Sequence, residues 1–584
     1  MDITTKMSAY IQDKDAEKRE TDKSYKEFKS AAVVANNEVT CATGKNILAE
    51  GGSVVDAAIA SMLALGVVSF QSGGIGGGFF MVFFDAESKN DYFFDARETA
   101  PLASSSDMYE GNDFAKSLGR SSIAVPGQIK GFWEAHQRFG KLPWSLLFQP
   151  AIDLAENGFK MTAGCEHWLK LTMPKIQQNK RLRELLQKND GKFKQAGDII
   201  FRPKLAKTLR TIAKEGADAY YNGSLTNSIL EDINDGFGNP SVITKEDLIT
   251  YSVRMAEPTK LKLTNDLTLI TSGAPSGGPL LAFLLNILKG YNINGDVSKE
   301  NKILLYHRIA EAMKFAYCRK NQLGDPEFSN EVKELIEEML SDEYCEQVRM
   351  KIDDFQTHSP EYYGEYQQAP IDKGTAHVGI VGENGSAVAL TGSLNSPFGS
   401  SVLGRRTGII FNNHMENFTS PDNKSSSTVD RFVEFIRPFC HISFPAHLIS
   451  NNLIEPRKRP LSSMNPTIIL KNTPNGPEVK MVLGGAGGMR IIASTALTIL
   501  QSLWFDKNTN DAVKSKRFNH FCFPNILQIE NGMDKNIVKG LQEKGHQVEM
   551  IENRLTTMQV ISRSNSGTIV AKCDCRKDGY PDGY

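Results

Sequence analysis

A chain of 584 residues, 40% apolar and 23% charged, can bury a large core and by length alone would divide into several domains. Its 67 basic and 68 acidic residues leave a net charge of −1. That balance gives no electrostatic grip on nucleic acid or an anionic membrane, so a small molecule is the expected partner.

In chain order, residues 1–30 read as a charged tail. Residues 11–29 (IQDKDAEKRETDKSYKEFK) are too polar to pack, and no apolar run of secretory-signal type precedes them. Ser53 to Val68 has the spacing of a buried helix, and Phe79 to Phe84 reads as a buried strand. The uncharged run Ala57 to Phe84 exceeds a membrane span, but Ser72-Gly73-Gly74 and Gly76-Gly77-Gly78 break it into helix, loop and strand. Asp91 to Phe94 is the expected partner strand, with Arg97 just past its end. Ile129 to Leu154 is helical in character, with a break at Pro143. Residues 160–260 alternate short helical patterns with polar loops. Leu261 to Thr271 is strand-like and leads through Gly273-Ala274-Pro275-Ser276-Gly277-Gly278 into an apolar helix, Pro279 to Leu288. Another helix is expected over Lys302 to Tyr317, and Pro326 to Pro370 is charged and irregular towards its end.

The pattern changes at Thr375. His377 to Val381 and Ala387 to Leu390 read as a hairpin turning at Glu383-Asn384-Gly385. Thr407 to Asn412, Thr467 to Leu470, Lys480 to Leu483 and Thr568 to Ala571 add strands, and Ile491 to Trp504 a helix. Central strands with long helices on either side predict an α/β fold of packed layers.

The 8 cysteines are scattered and lack the spacing of a zinc site, so they read as mostly free thiols. Sequons stand at Asn222, Asn384, Asn417 and Asn423. With no leader evident, and Asn417 inside the expected site, these features tilt the location towards an intracellular compartment. Gly74 to Gly78 is no nucleotide loop, because it follows a helix rather than the first strand of a βαβ unit. No Gly-x-Ser-x-Gly elbow is present.

Gly374-Thr375-Ala376-His377 is the most informative stretch. A threonine hydroxyl needs a base beside it to act as a nucleophile. Cutting the chain just before Thr375 would supply one, its own α-amino group, whose ordinary pKa is roughly 8. Gly374 offers no side chain to obstruct that cut. Two glycines, Gly487 and Gly488, precede the helix near Ile491, where free N–H groups and the helix dipole favour an anion.

Eight stretches in order resemble the γ-glutamyltransferase (glutathione hydrolase) family. They are Gly51 to Ala58, Gly74 to Gly78, Ala96 to Pro101, Ala124 to Gly127, Pro275 to Gly278, Gly374 to His377, Pro460 to Met464 and Gly484 to Gly488. The resemblance runs from about residue 40 to Tyr584. It implies the four-layer α/β/β/α sandwich of N-terminal-nucleophile hydrolases, and a large subunit (31–374) that stays paired with a small one (375–584). It also implies a glutathione hydrolase and γ-glutamyl transferase without metal or organic cofactor. On the matching positions, Thr375 becomes the nucleophile and Gly487 and Gly488 the oxyanion hole. Arg97, Ser462 and Ser463 become the α-carboxylate site, and Ser393 (or Thr391) and Asn395 the hydroxyl and amide near the nucleophile.

One stretch departs from the family. Within Asn412 to Phe418, His414 stands where a Glu is usual and Asn417 where an Asp is usual, at the positions that would meet a substrate's α-ammonium. Glu416 would share a face with His414 if the segment were extended. Two alternatives therefore stand beside γ-glutamyl chemistry: an amide hydrolase of the same mechanism with another substrate, and a weak or inactive binding homologue.

Overall fold

Ser53 opens the helix Val54–Val68 with a capping box: its hydroxyl accepts from the Asp56 N–H at 3.1 Å, and its own N–H donates to the Asp56 carboxylate at 2.9 Å. That carboxylate also accepts from the N–H groups of Lys141 and Leu142, which anchors a fully buried acid. All of Val54–Val68 is buried, so the membrane-length run is a core helix, a loop and the strand Gly78–Phe84. The computed structural model describes residues 22–291, 299–364, 374–420, 451–552, 556–564, 566–576 and 579–584. Among these, no helix is long and apolar enough to cross a membrane.

Two sheets of seven strands form the centre. The first runs Asp582–Gly583, Ala32–Ala35, Gly374–Val381, Ala387–Asn395, Gly78–Phe84, Asp91–Ala96, Arg254–Ala256. The second runs Tyr25–Phe28, Ile569–Cys573, Thr557–Arg563, Gly476–Ala486, Thr467–Thr473, Leu267–Thr271, Thr259–Lys262. They face each other through Gly374–Val381 and Gly476–Ala486. Glu38–Ala49, Val54–Val68 and Gln128–Phe139 cover the first sheet, and Gly278–Lys289 and Ile491–Ile499 the second. One apolar cluster fills each helix–sheet side, which gives the expected α/β/β/α sandwich.

Alternation along Gly374–Val381 orients the site. A Cβ on Gly379 would lie 3.3 Å from Val482, and one on Gly484 would overlap the His377 ring, so His377 and Gly379 face the second sheet. Thr375, two residues before His377, reaches the end of the second sheet's strand Gly476–Ala486 through its contact with Gly487.

Four segments differ from expectation. The tail is shorter than residue 30, because Tyr25–Phe28 is an edge strand on Ile569–Cys573, with Asp22 paired to Lys514 and Lys572 just before it. An edge strand keeps its charged residues in water, so its polarity concealed it. Leu261 to Thr271 is a hairpin of Thr259–Lys262 and Leu267–Thr271, turned by the polar residues 264–266. Thr407 to Asn412 makes only isolated bridges, because Asp232 draws the N–H groups of Arg406 and Thr407 into a turn. The helix expected over Ile491 to Trp504 passes from α (Ile491–Ile499) to π form at Leu500–Trp504. Asn423 and Cys440 lie outside the described residues.

Candidate active site

Gly374 and Thr375 are joined in one strand, so the chain described is the uncut form. Thr375 is 3% exposed, and its hydroxyl oxygen accepts the Gly487 N–H at 3.3 Å. Gly487 directly follows the strand Gly476–Ala486, with φ 139°, and Gly488 follows with φ 63°. Backbone of that kind is strained for any side-chain-bearing residue, so the pair of glycines lets the chain turn sharply where the Gly487 N–H meets Thr375.

The neighbouring strand supplies the next group. Gly374 stands opposite Asn395, a bulge separates Gly374 from Ala376, and the Ser393 hydroxyl donates to the Gly374 carbonyl oxygen at 2.5 Å. Thr391 stands opposite His377 instead, its hydroxyl 2.8 Å from His377 Nδ1. Ser393, not Thr391, therefore serves the Gly374–Thr375 junction. Complete burial pushes His377 down to about 3, so it is a neutral spacer between the sheets.

Residues His414–Asn417 form a 3-10 turn rather than an extended run, so Glu416 and His414 do not share a face. The Glu416 carboxylate accepts from Asn395 Nδ2 at 2.9 Å, Ser396 Oγ at 3.1 Å and Asn413 Nδ2 at 3.1 Å. Asn395 itself sits at φ 71°, and its buried Oδ1 has no hydrogen-bond partner among the described residues. His414 Nδ1 lies 2.9 Å from a carboxylate oxygen of Glu98.

Arg97 is 1% exposed. Its guanidinium donates to the carbonyls of Pro460 at 3.3 Å and Leu461 at 3.1 Å and to Asn417 Oδ1 at 3.2 Å, and stands 3.6 Å from Glu98. It thus reaches the loop that carries Ser462 and Ser463. That loop is seated on Pro275 to Gly278: the Ser462 N–H donates to the Pro275 carbonyl, the Gly277 N–H to that of Met464, and a Cβ on Gly277 would lie 2.8 Å from the Ser463 carbonyl oxygen. The Ser462 hydroxyl accepts the Met464 N–H at 3.2 Å, and the Ser463 hydroxyl accepts from Lys320 Nζ at 2.9 Å.

The fold therefore gathers Arg97, Asn417, Ser462 and Ser463 at one locus, Gly374, Thr375, Ser393, Gly487 and Gly488 at a second, and Asn395 with Glu416 at a third. Two groups are additions. Glu98 follows Arg97 in the same motif, and that adjacency was its only signal. Lys320 ends a long helix and meets Ser463 only through the fold. A separate buried cluster, His307, Glu311 and His546, brings ligand-type atoms within 4.8 Å of one another. The Lys314 ammonium stands 3.3 Å from Glu311.

The family profile for gamma-glutamyltranspeptidase matches residues 40–584. The chain is 36% identical to Scoloptoxin SSD14 of Scolopendra dehaani over 579 residues, covering 98% of this chain and 96% of that one. It is 37% identical to Glutathione hydrolase 2 of Arabidopsis thaliana over 566 residues, covering 94% and 93%. Cephalosporin acylase from Bacillus halodurans superposes with TM-score 0.81 at 22% identity, over 97% of this chain and 98% of that one, a likeness of fold. Gamma-glutamyltranspeptidase from Pseudomonas nitroreducens, complexed with L-DON, matches at 30% identity and TM-score 0.50, over 55% and 94%. With the profile spanning nearly the whole chain and the Thr375 locus assembled, this protein belongs to the γ-glutamyltranspeptidase family.

Proposed function

We propose that the chain cuts itself between Gly374 and Thr375 and then hydrolyses glutathione and related γ-glutamyl amides, or passes the γ-glutamyl group to an amino acid or peptide. The observation that carries this reading is the placement of the Thr375 hydroxyl on the Gly487 N–H, beside a Gly374 carbonyl held by Ser393.

In the first stage the Thr375 hydroxyl attacks the Gly374 carbonyl carbon, and Ser393 donates to the oxygen that gains charge. The C–N bond breaks, the acyl group moves to oxygen, and water hydrolyses that ester. The freed α-amine then serves as base for the same hydroxyl. In the second stage Thr375 attacks the substrate's γ-carbonyl, Gly487 and Gly488 bind the oxyanion, and the amine leaves with a proton from the α-amino group. Water or an acceptor amine resolves the γ-glutamyl-threonine ester. One oxyanion donor is worth on the order of 3 kcal/mol of barrier.

Arg97, with Ser462 and Ser463, binds the α-carboxylate through the fork geometry of a guanidinium. The α-ammonium is received by Glu416 and the open acceptor of Asn395, while His414 and Asn417 are directed to Glu98 and Arg97. Asn417 also motivates the second reading, a substrate lacking the α-ammonium, since it is neutral where an acid is usual.

Denaturing mass measurement of the protein beside Thr375→Ala tests the first stage. Two pieces meeting at residue 374, absent in the variant, are expected; an uncut chain would leave a binding homologue. Comparing γ-glutamyl with glutaryl anilides tests the second stage. The γ-glutamyl compound should lead in kcat/KM by roughly tenfold to a hundredfold, as for one charge-assisted contact, and Glu416→Gln should narrow the gap. A glutaryl preference would establish the second reading instead.

A further inference from the structure

Four buried cysteines meet in pairs that their scattered positions conceal. Cys41 lies on the helix Glu38–Ala49 and Cys573 ends the strand Ile569–Cys573. Their thiols are neighbours, and the Cys41 thiol also lies beside the backbone of Ala35. Gly579 fixes that corner: a Cβ there would collide with the Ala35 carbonyl and lie 3.1 Å from Cys573 Cβ.

Cys318, on the helix Lys299–Lys320, meets Cys522, just past the strand Phe518–His520, in the same way. Their neighbours join the same two segments. Tyr317 packs edge-on against Phe521 with ring centroids 5.2 Å apart, and its hydroxyl reaches Asn519 Oδ1 at 3.4 Å. One residue on from Tyr317 and from Phe521 stand Cys318 and Cys522. Cys345, by contrast, points its thiol at the Met339 carbonyl, 3.5 Å away.

In both pairs one cysteine precedes residue 374 and the other follows it. We propose that Cys41–Cys573 and Cys318–Cys522 close as disulfides that join the two pieces of the cut protein. The inference rests on the proposed cut.

Each bridge breaks two S–H bonds and forms one S–S bond. A thiolate attacks a low-molecular-weight disulfide such as glutathione disulfide and releases one small thiol. The partner thiolate then displaces the second, so the small disulfide takes up the two electrons and the two protons are released or carried away as thiol. Exchange occurs while the chain folds and the thiols are still reachable. Burial afterwards pushes Cys41 well above the ordinary thiol range, and contact with Cys522 together with burial does the same to Cys318.

The test is to make the protein cell-free in a glutathione/glutathione disulfide buffer, alkylate it in denaturant, and run it with and without reductant. One band of full mass without reductant and two with it are expected. Cys41→Ala and Cys318→Ala should each stay joined through the remaining bridge, and the double variant should separate. Peptide mapping without reductant should recover residues 41 and 573 on one linked pair, and 318 and 522 on the other. Two bands without reductant, or links through other cysteines, would overturn the proposal. One band even with reductant would mean that the cut had failed, and mapping would still decide the pairing in the intact chain.

Discussion

The Gly374 carbonyl and the Thr375 hydroxyl are held by different donors, Ser393 and Gly487. On the proposed mechanism Ser393 acts first in the making of the nucleophile. Ser393→Ala removes one hydrogen bond from the attacked carbonyl, worth about 1 kcal/mol or slightly more, so self-cleavage should slow roughly tenfold. Ser393→Thr should restore it, and a time course of fragment release reads both. At this scale the sequence offered candidates where chemistry and spacing coincide, Thr375 after a glycine, Gly487 and Gly488 before a helix, Arg97 in its motif, and the structure brings Thr375 to Gly487 and Arg97 to Asn417. The sequence was silent on Lys320 and on the contact of Glu98 with His414, because those pairings join positions far apart in the chain. Glu416 is a candidate by sequence, but its direction depends on a 3-10 turn, His414–Asn417, that the local sequence does not specify.

Helices and strands announced themselves according to how fully they are buried. The helix Val54–Val68 carries both a capping box and an unbroken apolar composition, and the strand Gly78–Phe84 is apolar throughout. The edge strand Tyr25–Phe28 has neither signal, since half its bonding groups face water. The approach of the two sheets depends on Gly484, whose missing side chain makes room for the His377 ring. That ring has little freedom to yield, being fully buried with Nδ1 2.8 Å from the Thr391 hydroxyl. Gly484→Ala should therefore overpack the junction and cost about 1–3 kcal/mol, seen as a lower urea midpoint with the m-value unchanged.

Across the whole molecule, both sheets combine strands from before residue 374 with strands from after it. A buried histidine pair, His307 with His546 at 2.8 Å, lies on this boundary beside Glu311 and Lys314. Burial depresses both imidazoles, His546 to about 2, with Lys314 and Lys544 adding to the effect on each ring or its partner. The folded protein thus keeps them neutral, whereas the unfolded chain takes up protons below its ordinary 6.5. Their contribution is complete above that pH and is lost as pH falls below it, by at most roughly 1.4 kcal/mol per unit and group. Melting temperature should fall from pH 7.5 to 5, and His546→Asn should flatten the slope.

The strand Gly374–Val381 lies between Ala32–Ala35, from before the cut, and Ala387–Asn395, from after it. While the chain is whole, these neighbours find each other at the high effective concentration of a tether. Severing it makes the same pairing a meeting of two molecules, diluted to whatever concentration surrounds them. Cleavage thus gives the protein a history: a fold assembled as one chain and later operated as two has no equally easy road back once it is lost. A bond between the pieces, of the kind inferred for the cysteine pairs, would restore that road.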